Sequence, residues 1–181
     1  MDTDLVVQAQ RGDEEAFASL AVAVGNRLHA VAHRILRDLD LAEDATQQAL
    51  LSIWRDLPQL RDPARFEAWS YRLLVRACYA EARRTQHWMR GLRLVDTDEP
   101  MSDASASVAD RDQLERAFRR LSVDHRAVVV LHHYLDMPLP EVAESLGIPM
   151  GTARSRLHYA MRGLRAALDA DARPASREVA R

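Results

Sequence analysis

The sequence predicts an all-α protein made of two small helical domains joined by a flexible acidic linker. Three observations lead to this fold class. Apolar residues recur every three or four positions through most of the 181 residues, which is the period of a helix. No convincing strand pattern occurs, since the short β-branched run Val128–Leu131 lies inside a helix-period stretch. The stretch VDTDEPMSDASASVAD, residues 95–110, has no apolar period and is rich in serine and acidic residues, as linkers are.

We therefore predict domains at residues 1–94 and 111–168, a linker at 95–110 and a short frayed tail at 169–181. Four helices are expected in the first domain, over about residues 4–10, 14–37, 41–57 and 63–90. Gly12 ends the first helix, and Asp13 is the expected cap of the second. Asp62 followed by Pro63 is a favourable start for the fourth. The expected inward side chains are Leu28, Val31, Ala32, Ile35, Leu36, Leu50, Ile53, Trp54, Phe66, Trp69, Leu73 and Ala77.

The second domain is expected to hold four shorter helices. Leu114, Phe118 and Leu121 define the first of these, and Ser122 caps the next, which runs to about Tyr134. A third spans about residues 139–146, and the last runs from Pro149 to about Leu168. The inward stripe of that last helix is Ala153, Leu157, Ala160, Met161, Leu164 and Leu168.

Charge is distributed unevenly although the formal net charge is only −2. The stretch Trp69–Arg93 holds six arginines against Glu81 alone, and Ser145–Leu168 holds four arginines and no acid. Residues 96–112 hold one arginine and six acids, a net charge of −5. Two basic surfaces on either side of an acidic linker fit contact with a polyanion, and two solvated helix faces remain the alternative.

Several classes of protein are excluded by composition. The single cysteine, Cys78, rules out an internal disulfide framework and a cysteine-rich zinc module. No apolar stretch approaches the roughly 20 residues that span a bilayer, and the N-terminus lacks a signal-peptide core, so we expect a cytoplasmic protein. His29 and His33 share a helix spacing but lack a third ligand, so no metal site is predicted. Arg76 or Arg83 could lower the pKa of Cys78, but we expect no redox role, no cofactor and no catalytic site.

The stretch PEVAESLGIPMGTARSRLHYAMRGL has the form of a helix–turn–helix. A short helix carrying the small Ala143 is closed by Gly147, and a basic helix follows. Away from its inward stripe this helix presents Thr152, Arg154, Ser155, Arg156 and His158. Such side chains suit base edges and phosphates in a major groove. An ordinary helical hairpin with a hydrated face is the alternative.

This C-terminal stretch, from LSVDHRAVVVLHHY through GTARSRLH, resembles region 4 of the extracytoplasmic-function (ECF) sigma factors of bacterial RNA polymerase. In that family the region reads the −35 promoter element and docks on the β flap of the polymerase. The resemblance implies that Arg154, Ser155 and Arg156 face the major groove, with Thr152 and His158 beside them. The sequence departs from the family at Tyr159, where a basic residue is frequent.

The N-terminal domain resembles region 2 of the same family. DLAEDATQQALLSIWRDL is similar to region 2.2, which grips the β′ clamp helices, and this similarity implies a polymerase contact through Asp44, Gln47 and Gln48. RFEAWSYRLLVRACYAEARRTQHW is similar to regions 2.3 and 2.4, which capture the −10 element and the melted strand. The residues implied for that role are Arg72, Arg76, Tyr79, Arg83, Arg84 and Trp88. Departures from the family pattern are Gln48, Leu50, Arg76 and Ala80.

The resemblance implies a sigma factor that binds core RNA polymerase, recognises promoter DNA through its −35 and −10 elements and assists melting. It further implies an anti-sigma factor as a regulatory partner. The acidic linker would thread towards the RNA exit path. Two alternatives stay open: a stand-alone helix–turn–helix regulator that binds duplex DNA as a dimer, and a degenerate sigma-like factor that binds polymerase without opening promoters.

Overall fold

The computed structural model of the chain describes residues 2–92 and 109–172, and the side chains of 2–86 and 113–169. Its helices are α1 (Thr3–Gln10), α2 (Glu14–Leu36), α3 (Leu39–Asp56), α4 (Phe66–Leu92), α5 (Ala109–Arg119), α6 (Val123–Val129), α7 (Leu139–Leu146) and α8 (Met150–Ala172). These described ranges contain no strand, and the all-α prediction is confirmed.

Two predicted segments, the linker and the C-terminal tail, lie mostly outside the described residues. Of the linker predicted at 95–110, residues 95–108 lie outside the described residues, and 109–110 already belong to α5. The tail predicted at 169–181 begins inside a helix, because α8 continues to Ala172, and residues 173–181 lie outside the described part of the chain.

Helix ends follow the capping residues that the sequence offers. The Asp13 carboxylate accepts a hydrogen bond of 3.0 Å from the backbone N–H of Ala16, and the Ser122 hydroxyl accepts one of 3.3 Å from His125. Gly147 ends α7 with a φ of 64°, a left-handed conformation that glycine adopts without strain. These three boundaries lie where the sequence predicts them.

One helix start differs from its prediction. The cap of α3 is Asp38, whose carboxylate accepts a 2.9 Å hydrogen bond from the N–H of Leu41, so the helix begins before Asp40. Asp38 has extended backbone, as an N-cap requires, whereas Asp40 is already helical. A short 3-10 turn, Pro63–Arg65, precedes α4 and is capped by Asp62.

One large apolar core runs through both halves of the described chain. Leu28 and Val31 of α2 and Leu74 of α4 are almost completely buried, and they belong to the same cluster as Val128 and Leu131, which lie in α6 and the π-helical turn after it. A smaller second cluster joins α5, α6 and α8. The C-terminal half therefore packs directly on α2 and α4.

Polar contacts accompany this packing between the halves. Arg65 and Glu144 form an ion pair of 3.0 Å, and Arg37 at the end of α2 pairs with Glu115 of α5. The guanidinium of Arg34 lies 3.8 Å from the centre of the Tyr134 ring. The Arg65–Glu144 pair is exposed and stabilises weakly, whereas the Arg37 side chain is only 11% exposed. The shared apolar core supplies most of the contact energy.

Two residues expected inside the core are outside it. Trp54 is 42% exposed and rests edge-on against Phe17, with ring centroids 4.5 Å apart. The buried stripe of α3 includes Ala49 and Ile53. Trp54 directly follows Ile53, and because each helical residue is rotated by about 100° from the one before, its side chain points away from that stripe. Leu114 of α5 is exposed for a similar reason, since the buried position of that helix is Ala117.

Candidate nucleic-acid and partner interfaces

Helix α8 is the second helix of the helix–turn–helix. One of its faces packs on the core, and the opposite face is exposed. Ala153 and Ala160 are completely buried, and their small side chains let α8 lie close to its neighbours. Arg154, Ser155 and His158 are exposed, whereas Thr152 and Arg156 are half-buried. The Ser155 hydroxyl donates a hydrogen bond of 3.0 Å to the carbonyl of Thr152.

The five residues predicted for this face lie on two flanks of α8. Arg154 and Arg156 are about 200° apart around the helix axis, since each residue turns it by about 100°. On the Arg154 flank, His158, Arg162 and Arg165 line a cleft of about 580 Å³. On the other flank the Arg156 guanidinium makes an ion pair of 2.9 Å with Asp124 of α6. One flank of α8 therefore carries arginines without an ion-pair partner among the described residues, whereas Arg156 on the other flank is paired with Asp124.

The predicted set omits two outward arginines of α8 and includes Tyr159 only as a departure from the family pattern. Arg162 and Arg165 are exposed, and Tyr159 is 58% exposed with its ring edge-on to His158 at 5.5 Å between centroids. The signal was available, because Arg154, Arg162 and Arg165 follow each other at steps of eight and three, the spacing of one helix flank.

On α4 most of the predicted basic set forms one stripe. Arg72, Arg76, Tyr79 and Arg83 recur at steps of four, three and four, and the Arg83 side chain donates a 3.1 Å hydrogen bond to the Tyr79 carbonyl. Arg76 and Arg83 are exposed, whereas Arg72 is half-buried in a cleft shared with α7. The side chain of Trp88 lies outside the described residues.

Tyr79 is the member of this stripe that the C-terminal half covers. Its ring lies against α6 beside Asp124 and Arg156, and burial, together with the Asp124 carboxylate, raises the pKa of the phenol. Two side chains predicted for different promoter elements, Tyr79 and Arg156, therefore meet at one carboxylate.

Arg84 lies apart from that stripe and faces α3. Its guanidinium makes ion pairs of 2.9 Å with Asp44 and 2.7 Å with Glu81. Asp44 belongs to the set predicted for polymerase contact, and Arg84 belongs to the set predicted for the −10 element. The two predicted surfaces are therefore linked by an ion pair.

The outward face of α3 is partly apolar. Gln47 and Gln48 are exposed, and Leu51, one turn further along, is 62% exposed with Trp54 beside it. Trp54 is therefore not the core residue that the sequence predicts, and Leu51 is not among the residues predicted for this face. An exposed apolar pair flanked by amides and a carboxylate is typical of a protein-binding surface.

Cys78 is completely buried in α4, and burial raises the pKa of its thiol to about 12. This shift is opposite to the lowering considered from Arg76 or Arg83, because burial disfavours the thiolate and the Glu81 carboxylate adds to the rise. Within residues 2–92 and 109–172, no group of three potential metal ligands occurs, and no helix is long and apolar enough to cross a membrane.

Comparison with known proteins identifies both halves of the chain. Residues 20–88 match the Sigma-70 region 2 family, and residues 111–164 match Sigma-70, region 4. Over 156 residues the chain is 33% identical to the ECF RNA polymerase sigma factor SigM of Mycobacterium tuberculosis (strain H37Rv). The aligned region covers 86% of this chain and 78% of that protein.

Two solved structures share the fold. CnrH, in complex with the cytosolic domain of CnrY, superposes with a TM-score of 0.68 at 25% identity, covering 94% of this chain and 98% of that one. The sigma factor RpoE of Bartonella quintana, in complex with the anti-sigma factor NepR, gives a TM-score of 0.69 at 23% identity, covering 86% and 98%.

Proposed function

Because the chain belongs to the ECF RNA polymerase sigma factors, which direct polymerase to promoters, we propose that α8 reads its −35 element and α4 its −10 element. The observation that carries this assignment is the presence of both regions, in order, each with an outward basic helix. Sigma factors are initiation factors and not enzymes, so nucleotide addition belongs to the polymerase. The proposed domains are residues 1–94 and 111–168, joined by the acidic linker.

For the −35 element, the proposed contacts are Thr152, Arg154, Ser155, Arg156 and His158. A single α-helix fits the major groove, and arginine can donate two hydrogen bonds to one guanine. The free flank of α8 extends these contacts through Arg162 and Arg165, which are exposed and have no ion-pair partner among the described residues. Those two side chains are suited to phosphates, which supply affinity without sequence preference.

For the −10 element and the melted strand, we assign Arg72, Arg76, Tyr79, Arg83, Arg84 and Trp88. Single-stranded DNA is held by cations along the backbone and by aromatic rings that stack on bases. Tyr79 is covered by α6 in this structure, so its exposure requires the halves to separate.

Promoter geometry requires the same separation. Elements centred 25 base pairs apart are about 85 Å apart at 3.4 Å per pair. The longest helix, α4, has 27 residues and is about 40 Å long at 1.5 Å per residue. Since Tyr79 and Arg156 approach the same carboxylate here, this arrangement cannot hold both elements. We assign it to the chain before it engages a promoter.

The outward face of α3 is proposed to bind the β′ clamp of the polymerase through Asp44, Gln47 and Gln48. We add Leu51 and Trp54 to this proposed surface, which their exposure beside these residues supports. Replacing Leu51 by glutamate should weaken binding to core polymerase at least about tenfold, as loss of a central apolar contact does. Val22 of α2 is 77% exposed and offers a matched control, since Val22→Glu adds the same charge at an exposed apolar position outside this face. Equal binding by both variants would remove α3 from the interface.

An anti-sigma factor is the proposed regulator, and the cytoplasm is the proposed location. Support for the regulator comes from the fold shared with RpoE of B. quintana, which was solved with its anti-sigma factor NepR. The arrangement of the two halves here is one that such a partner could stabilise.

Run-off transcription tests the proposed function. Purified core polymerase is incubated with genomic fragments, with and without the protein. New discrete start sites that require the protein are the expected result. Transcripts that are absent despite co-purification with core would indicate a degenerate factor. Duplex binding without any association with core would indicate a stand-alone regulator and contradict the assignment.

A further inference from the structure

The arginines of α8 differ in one respect that their sequence does not reveal. Arg154, Arg162 and Arg165 are exposed and make no ion pair with any described residue. Arg156 is different, because its guanidinium is bound to Asp124 at 2.9 Å and its side chain is only 24% exposed. The same helix thus carries three unpaired, exposed arginines and one arginine bound to a carboxylate.

Asp124 is itself held in place. It lies in the first turn of α6, where the Ser122 cap fixes the backbone. The aspartate and Arg156 both belong to the C-terminal half, on α6 and α8, which pack directly on each other. Both partners therefore lie within the C-terminal half, and Tyr79 of α4 covers them only while the halves are in contact.

Pairing changes what an arginine can do at DNA. A guanidinium without a carboxylate partner binds favourably to any DNA phosphate. Each such contact releases counterions, whatever the DNA sequence is. A guanidinium already bound to a carboxylate carries no net charge as a pair, so it gains less from a phosphate. Its planar fork is nevertheless oriented, and its remaining N–H groups can still donate to a base edge.

We propose that Asp124 is a positioning residue that gives Arg156 its role in sequence recognition. By neutralising and orienting the guanidinium, Asp124 withholds Arg156 from phosphates and holds it ready for a base of the −35 element. Arg154, Arg162 and Arg165 then supply affinity, whereas Arg156 supplies discrimination. This inference rests on the proposed role of α8 at the −35 element.

The test uses the full chain bound to core polymerase and a promoter duplex found by run-off transcription. A second duplex carries the same sequence with its −35 element scrambled. Asp124→Asn is compared with Glu141→Gln, an exposed carboxylate on α7 of the same half, because both changes remove one negative charge. Binding to each duplex is measured across a series of salt concentrations.

Asp124→Asn is expected to lower the ratio of promoter to scrambled binding by at least about 5-fold, the lower end of the range for one base-edge contact. It should also steepen the slope of log binding constant against log salt by about 0.9, since one more phosphate is neutralised. Glu141→Gln should change neither quantity. A structural role of Asp124 alone would not steepen the salt slope. If Asp124→Asn behaves as Glu141→Gln does, the inference is wrong.

Arg156→Ala separates this inference from the assignment on which it rests. It should lower −35 discrimination, and Asp124→Asn should have no further effect on that background. If Arg156→Ala leaves discrimination intact, the proposed role of Arg156 fails. If it lowers discrimination while Asp124→Asn does not, only the role of Asp124 fails. Equal melting temperatures of the variants show that folding is not the cause.

Discussion

Arg126 of α6 carries a buried charge that the fold does not compensate. Its exposed fraction is 8%, its Nε atom has no hydrogen-bond partner, and no described carboxylate pairs with it. Loss of solvent, and then the neighbouring Arg37 guanidinium, lower its pKa from 12.5 to about 10. One pKa unit corresponds to about 1.4 kcal/mol, so the charged form is disfavoured in the folded state by about 3 kcal/mol.

The sign of this contribution follows from the direction of the shift. Because the pKa of a cationic group is lower in the folded protein, the charge opposes folding at every pH below about 10. The penalty is therefore complete at neutral pH. Replacing Arg126 by methionine, which has a similar length and no charge, should raise the free energy of unfolding by about 1–3 kcal/mol. For a chain of this size the melting temperature should rise by about 2–10 °C.

Thermal and urea unfolding followed by circular dichroism measure this change. Arg126→Lys keeps the charge at the same site and should bring no gain. Arg120→Met removes an exposed guanidinium in the same half and should change stability by less than about 0.5 kcal/mol. A melting temperature for Arg126→Met below that of the parent would refute the reasoning, because it would show that the guanidinium stabilises the fold.

Three further predictions concern the core, a cap and the thiol. Leu131→Ala should cost about 2–5 kcal/mol in urea unfolding, since Leu131 is completely buried where the halves meet; a loss below 1 kcal/mol would contradict that packing. Asp13→Ala should cost about 1 kcal/mol through loss of the 3.0 Å hydrogen bond to Ala16, whereas Asp13→Asn should cost less. Cys78 should react with a thiol reagent at pH 8 only as the protein unfolds, because its thiol is buried with a pKa of about 12; labelling at the rate of a free thiol would show that α4 opens readily.

The fold class and most helix ends could be read from the sequence because they depend on local chemistry. Asp13 and Ser122 cap helices through their own side chains, and Gly147 ends α7 through its own backbone freedom. The family resemblance was likewise local, since it rests on contiguous motifs. Both are confirmed by the structure and by the comparisons.

Burial was harder to predict wherever an apolar residue lies at the edge of a stripe. Trp54 and Leu51 look like core residues by type, but helix rotation turns them outward. A sequence pattern gives the centre of an apolar face more reliably than its width, which depends on the neighbouring helices. The apolar part of the proposed polymerase surface was missed for this reason.

The sequence by itself determined that this chain is helical, that it carries two basic helices and that it resembles an ECF sigma factor. Only the tertiary structure decided which charges are free. Arg154 and Arg156 are equivalent in sequence, yet one is exposed and the other is bound to Asp124, 32 positions earlier. Ion pairs and burial of this kind arise from packing between distant segments, and spacing along one helix does not contain that information.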